Sequence, residues 1–289
     1  VVVSSAALPA QAAKTLRWKF REGESLQYEM QQRMEMKMSV AGQNINTKTD
    51  QTIDMTWTVK SIGEDGSCRM KQRIDRIRLT LDGPTGEVEH DSAATEQPNN
   101  ALLNTIRPVF ESLVGAEFML TMDQLGRISD VQIPKEFQES VQKSPGQMQQ
   151  MFNEDSMKQM LQQAALILPE KAVSTNDRWD SQMTFEMPFG QLTNDNQMTY
   201  LGTDESNRSL EKIRLTSNTT MQAKPNSPIK VELKDQQTSG TINFDNVAGR
   251  IEGSAITQKM VMGINAGGQA MQQTVTQTMR LRLKPNKTP

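Results

Sequence analysis

Between Leu26 and Val40 the chain alternates with a period of two. The even positions read Leu26, Tyr28, Met30, Gln32, Met34, Met36, Met38 and Val40; the odd ones read Gln27, Glu29, Gln31, Arg33, Glu35, Lys37 and Ser39. Successive side chains of a β-strand point to opposite faces, so this stretch is a strand with one apolar and one charged face. At about 3.3 Å per residue it spans on the order of 50 Å. The twist accumulated over such a length forbids a flat sheet. The chain must therefore coil a long antiparallel sheet about one apolar side.

After the turn candidate Ala41-Gly42-Gln43 the alternation returns, with Ile53, Met55, Trp57 and Val59 on one face and Asp54, Thr56, Thr58 and Lys60 on the other. A second turn, Gly63-Glu64-Asp65-Gly66, leads to Cys68, Met70, Gln72 and Ile74 in one phase, then Ile77, Leu79 and Leu81 in the opposite phase. A regular strand cannot change face, so a β-bulge is expected near Asp75-Arg76. The middle of the chain turns helical. Leu102, Leu103, Ile106, Val109, Phe110 and Leu113 fall at helical spacing, with Pro108 opening a second helical piece. A hairpin over 118–131 and a short helix after Pro134 follow. Met148, Met151, Phe152, Met157, Met160, Leu161, Ala164 and Leu168 then form an amphipathic helix ending before Pro169.

Beyond Pro169 alternation resumes and continues to a last hairpin around Ala266-Gly267-Gly268. The expected fold is mainly β: a long, strongly curved antiparallel sheet or half-barrel, or a pair of related sheets, with helices on the concave side. The expected organisation is an N-terminal β half over 13–133 with a helix near 100–114, a helical segment over 134–168, and a C-terminal β half over 169–289. Asp123-Gln124-Leu125-Gly126-Arg127-Ile128 resembles Asp245-Asn246-Val247-Ala248-Gly249-Arg250-Ile251, which suits either two duplicated halves or reuse of one turn chemistry.

Val1 to Ala12, ending Pro9-Ala10-Gln11-Ala12, reads as the tail of a secretory signal cleaved after Ala12. Ala13, where a lipid-modified signal would place Cys, points to a soluble exported protein, periplasmic or extracellular. A net charge of −2 gives no electrostatic reason to expect nucleic acid as a partner. No apolar run approaches the roughly 20 residues of a transmembrane helix. The single cysteine, Cys68, continues an apolar phase and is expected to be buried and inert.

Catalytic constellations are missing from the sequence. The one histidine, His90, lies in Glu89-His90-Asp91-Ser92, expected as an exposed loop, and there is no Gly-x-Ser-x-Gly elbow. One Cys and one His exclude ordinary zinc sites, so no metal or other cofactor is expected, and the protein is read as non-catalytic. The unusual feature is methionine, 20 residues in all. Met30, Met34, Met36, Met38, Met55, Met70, Met183, Met187, Met198, Met260, Met262 and Met279 share the apolar phase of their strands. Three readings stand: flexible core filler, an open greasy face for an apolar or lipid-like ligand, or a thioether site for cuprous copper. The second makes all of these except Met279 candidate ligand-binding residues. A structural module bound to an envelope protein partner is the alternative function.

Leu168-Pro169-Glu170-Lys171-Ala172-Val173-Ser174-Thr175-Asn176-Asp177-Arg178-Trp179 resembles the LPEKPV-x-x-GD-x-W segment of an uncharacterised family of exported bacterial proteins. The opening Leu16-Arg17-Trp18-Lys19-Phe20-Arg21-Glu22-Gly23-Glu24 and the Gly126-Arg127-Ile128 hairpin are similar to the same family. Asn176 stands where that family has Gly, and Ala172 where it has Pro. More remotely, long coiled strands with helices in the concavity resemble the lipoprotein-carrier (LolA-like) half-barrels, which implies acyl chains held between sheet and helices.

Overall fold

The computed structural model describes residues 13–40, 42–84, 86–96, 100–143, 149, 154–163, 165–187, 189–225 and 227–285. The expected signal residues, and Ala41, Met148, Met151 and Phe152, lie outside them. Strands β1 (Ser25–Val40) and β2 (Gln43–Ile62) form the long hairpin, and β3 (Cys68–Gly83) follows. The far edge of β3 is shared by β4 (Gly86–Asp91) and β5 (Glu117–Met122), and β5 pairs onward with β6 (Ile128–Gln132). Among the described residues three helices interrupt the strands: α1 (Ala101–Leu113) before β5, then α2 (Lys135–Gln142) and α3 (Glu154–Gln163) after β6. The rest is a meander of β7 (Arg178–Met187), β8 (Gly190–Thr203), β9 (Leu210–Ala223), β10 (Ile229–Asp245), β11 (Arg250–Ala266) and β12 (Gln269–Leu283).

All of these belong to one antiparallel 12-stranded sheet, ordered β6-β5-β3-β2-β1-β12-β11-β10-β9-β8-β7, with β4 also on β3. The two β runs are joined by the pairing of β1 with β12, Tyr28 opposite Leu283 through Val40 opposite Met271. From β6 to β7 is ten steps along this path, about 48 Å in a flat sheet. Helix α3 nevertheless packs against both end strands, and a helix is only about 10–12 Å across. The sheet is therefore curled, with its ends brought towards one another across α3.

Local chemistry explains the bends. Asp54 pairs with Arg76 and Met55 with Ile74, which leaves Asp75 as the extra residue of the expected bulge. Its carboxylate accepts from Thr56 Oγ1 at 2.6 Å and from Arg73 Nε at 2.7 Å. The last hairpin turns on Gly267 and Gly268, with φ of 59° and 82°; a two-residue turn with both φ positive matches strand twist and favours glycine. Asn176 has φ 75°, in the left-handed region where asparagine is tolerated best after glycine. Asparagine at this turn position is accommodated for that reason.

The two similar turns act on one segment. Trp18 N donates to Gln124 O at 2.9 Å, and Lys19 N to Gly249 O at 3.0 Å. Each turn is ordered by its leading aspartate: Asp123 Oδ1 accepts from the N–H groups of Leu125 and Arg127, and Asp245 Oδ1 from those of Val247 and Ala248. The N-terminal segment is thus held between a turn from each β run. Glycine is required at Gly249, where φ is 69° and a Cβ would stand 2.3 Å from Lys19 N.

Three expectations need correction. Pro108 does not open a new helix; it lies inside α1. The ring removes one helical hydrogen bond, but burial of Leu103 on one side of it and Val109 and Leu113 on the other carries the helix through. Helix α3 ends at Gln163, short of Pro169. Residues 165–168 are not helical because long-range partners take their backbone: Leu166 O accepts from Trp18 Nε1, Ile167 O from Trp179 Nε1, and Leu168 N donates to Leu125 O. Finally, His90 is no exposed loop residue. It lies buried on β4 opposite Leu79, with its ring 5.7 Å from Phe110 of α1.

Candidate functional site

Cross-strand partners in a ladder share a face, so the register assigns every side chain to one of the two sides. Met30, Met34, Met36 and Met38 stand with Leu281, Gln277, Val275 and Gln273 of β12, and through them with Met260 and Met262 of β11. Met55 and Met70 continue that side through β2 and β3, and Met198, Met183 and Met187 through β8 and β7. All the candidate methionines therefore lie on one side, which is also the side that faces the helices. Among the described residues, and away from the register shifts, the Lys, Arg, Asp and Glu of the strands lie on the opposite, outer side, with Glu211 as the exception. The polar residues of the inner side are amides, hydroxyls and His90.

The helices cover only part of this side. Val109 and Leu113 of α1, Phe137 and Val141 of α2, and Met157 and Leu161 of α3 pack into one core with Met70, Ile77, Leu120, Met198, Ile213 and Phe244. Met70 and Met198 are 4% and 2% exposed, and Met55 is 8% exposed in a satellite cluster with Leu26 and Tyr28. These three are packed core and line no open surface. Towards the hairpin tips α3 still reaches β7, where Gln159 Nε2 donates to the Thr184 carbonyl; among the described residues Met30, Met34, Met36, Met38, Met183, Met260, Met262 and Met279 are half-buried there, while Met187 is 40% exposed. The inner side is thus a trough: plugged at one end by the helices, open at the other, and uncharged along its open length.

A polar rung crosses the trough. Ser181, Asn196, Ser217, Thr238, Gln258 and Gln277 are consecutive partners across β7 to β12. The signal for it is present in the sequence, since Ser181 interrupts the apolar phase between Trp179 and Met183, and Gln277 that between Val275 and Met279. At this rung the sheet also divides. Pairing of β9 with β10 ends at Ser217 opposite Thr238; beyond it β9 continues with β8 to Ala223, and β10 with β11 to Ile229.

Ionised groups gather elsewhere. At the plugged end Glu211 is buried, accepting from Lys14 Nζ at 2.5 Å, Tyr200 Oη at 2.6 Å and Thr203 Oγ1 at 3.1 Å. Burial, reinforced by the Glu211 carboxylate, holds the Tyr200 phenol well above its ordinary range. Burial pushes the Cys68 thiol up to about 12, which makes it inert as a nucleophile. A polar depression of about 740 Å³ lies over Ser181, Asn196 and Ser217 between the Asp180–Gln197–Thr216 and Gln182–Asp195–Asn218 rows. Another of about 570 Å³ surrounds the bulge, where Arg73, Asp75, Arg76, Glu117 and Lys284 meet. Met55 alone of the methionines borders either one. Among the described residues no three His, Cys, Asp or Glu side chains converge to hold a metal ion.

A family of unknown function, DUF6263, matches residues 65–251. The chain belongs to this family. A search of curated proteins gave no match. Among solved structures, one of lipovitellin, described for its lipid–protein interactions, is similar with a TM-score of 0.53 at 9% identity over 94% of this chain. The match takes in 26% of the lipovitellin chain, so this chain spans about a quarter of that one. At that identity the likeness is one of fold. DynF, from the dynemicin biosynthesis pathway of Micromonospora chersina, aligns over 100% of this chain and 94% of its own at 9% identity, with a TM-score of only 0.24. Among the described residues no helix is long and apolar enough to cross a membrane.

Proposed function

We propose that this protein binds an apolar or lipid-like ligand, without catalysis, in the open half of the trough, and that it does so as an exported protein. The observation that carries the reading is the separation of charge. Lys, Arg, Asp and Glu occupy the outer side, while the open inner half presents thioethers, aliphatics and neutral polar groups. Contiguous apolar surface rimmed by polar residues marks interaction sites, and methionine adapts its shape to varied apolar partners. The lipovitellin likeness, to a protein whose structure is described for its lipid contacts, agrees with this use of a curled sheet. Met55, Met70 and Met198 take no part in the proposed site; Met30, Met34, Met36, Met38, Met183, Met187, Met260 and Met262 do.

The test is saturable uptake of the uncharged fluorophore N-phenyl-1-naphthylamine by protein purified without detergent. Met36→Glu with Met260→Glu places two carboxylates in the trough and should abolish uptake, whereas Lys259→Glu, on the outer side, should not. Uptake that is absent in the native protein, or indifferent to the inner carboxylates, contradicts the proposal.

A further inference from the structure

The trough is not uniformly greasy, and its polar rung has spare hydrogen-bonding capacity. Ser217 Oγ and Thr238 Oγ1, cross-strand partners at the last rung before β9 and β10 part, are buried and make no hydrogen bond. On the next rung Gln236 spends its amide on Asn218 Oδ1 at 3.1 Å, and its buried Oε1 accepts nothing. Buried polar atoms in a folded protein are almost always paired, and leaving one unpaired is destabilising. Ser217 and Thr238 carry two such atoms side by side where β9 and β10 part, and a polar group entering between the parting strands would supply their partners. Thr219 Oγ1 shows the contrast: it lies beside this group and donates to Asn194 Oδ1 at 2.8 Å.

The position of these atoms limits what that ligand is. Towards the tips the neighbouring rung carries Met260, Val275 and Met36; towards the helices it carries Leu215, Ile256 and Met279. A molecule lying along the trough therefore meets an apolar zone, a hydrogen-bonding belt and a second apolar zone. The belt offers hydroxyls and carboxamides only, and the one ionised strand residue described on its face, Glu211, is buried with Lys14 at the plugged end. An ionised headgroup placed there would lose its hydration with no counter-charge to offset the loss. A headgroup of hydroxyls or esters supplies donors and acceptors without that penalty.

We infer that the ligand is an uncharged amphiphile, its neutral hydroxyl or ester group bonded to the Ser217–Thr238 pair and its hydrocarbon on the methionine rungs. This deepens the proposed function and rests on it. The experiment compares 1-monooleoylglycerol, oleate and oleylamine, which share one chain length, as displacers of N-phenyl-1-naphthylamine from the full-length protein. The neutral lipid should bind about tenfold more tightly than either ion, and Ser217→Ala with Thr238→Val should erase that preference while leaving fluorophore uptake intact. Oleate or oleylamine binding as tightly as the glyceride, or a preference that survives the double substitution, overturns the headgroup assignment and leaves the apolar site standing. Failure of the fluorophore and all three lipids to bind overturns both.

Discussion

Glu29 and Asp54 stand directly opposite one another on β1 and β2, two carboxylates on a rung where like charges repel. The outer side resolves this with cations drawn from distant segments. Arg282 reaches Glu29 at 3.2 Å, Arg78 reaches Asp54 at 3.0 Å, and Lys284 sits between them, paired with Asp54 and 3.6 Å from Glu29. Lys284→Met should therefore cost about 1 kcal/mol in urea unfolding. Adding Glu29→Gln should restore most of it, because the repulsion goes with the charge. Equal stability of Lys284→Met and the native protein would mean that the rung is neutralised by solvent alone.

At the plugged end the ion pair is held around a buried carboxylate. The Glu211 side chain is 3% exposed, and Lys14, 31% exposed, is its ion-pair partner. Removing one member of a buried pair leaves an uncompensated charge, so Lys14→Met should destabilise by about 3–5 kcal/mol. Lys14→Met with Glu211→Gln should be milder than the single change, since the two residues are directly coupled. Chemical denaturation of both variants checks the order, and a double variant worse than Lys14→Met contradicts this account of the pair.

Cys68 gives a pH dependence with a definite sign. Burial raises its thiol from an ordinary 9.0 to about 12. The folded state therefore disfavours the thiolate, and the stability from burying a neutral thiol is fully present below pH 9. It is lost as pH rises from about 9 towards about 12, where the unfolded chain ionises and the native one does not. Native protein at pH 8 should not react with iodoacetamide, and protein in concentrated urea should. Rapid native labelling would place the thiol outside the core.

The parts of this fold that follow from local pattern are legible in the sequence. Period-two alternation gives the long strands and their shared apolar side, and the change of phase between Ile74 and Ile77 locates the bulge at Asp75. What escapes is set by partners far along the chain. Leu168 follows Leu161 at helical spacing, yet the indoles of Trp18 and Trp179 and the Leu125 carbonyl take the backbone of Leu166, Ile167 and Leu168 out of the helix. His90 was misplaced although a signal existed: Val88 and His90 alternate with Glu87, Glu89 and Asp91, the pattern of a short strand with one buried side. Side-of-sheet pattern sorts the methionines but cannot divide them into packed and open sets. That division depends on how far along the strands the helices lie, and so Met55, Met70 and Met198 looked equivalent to Met34, Met36 and Met260.

The most direct test of the trough uses that division. With the methionine methyl groups labelled with ¹³C, addition of 1-monooleoylglycerol should shift the resonances of Met34, Met36, Met260 and Met262 and leave those of Met70 and Met198 in place. Shifts confined to the buried methyls, or a spectrum that does not change at saturating lipid, would contradict a ligand site in the open half of the sheet.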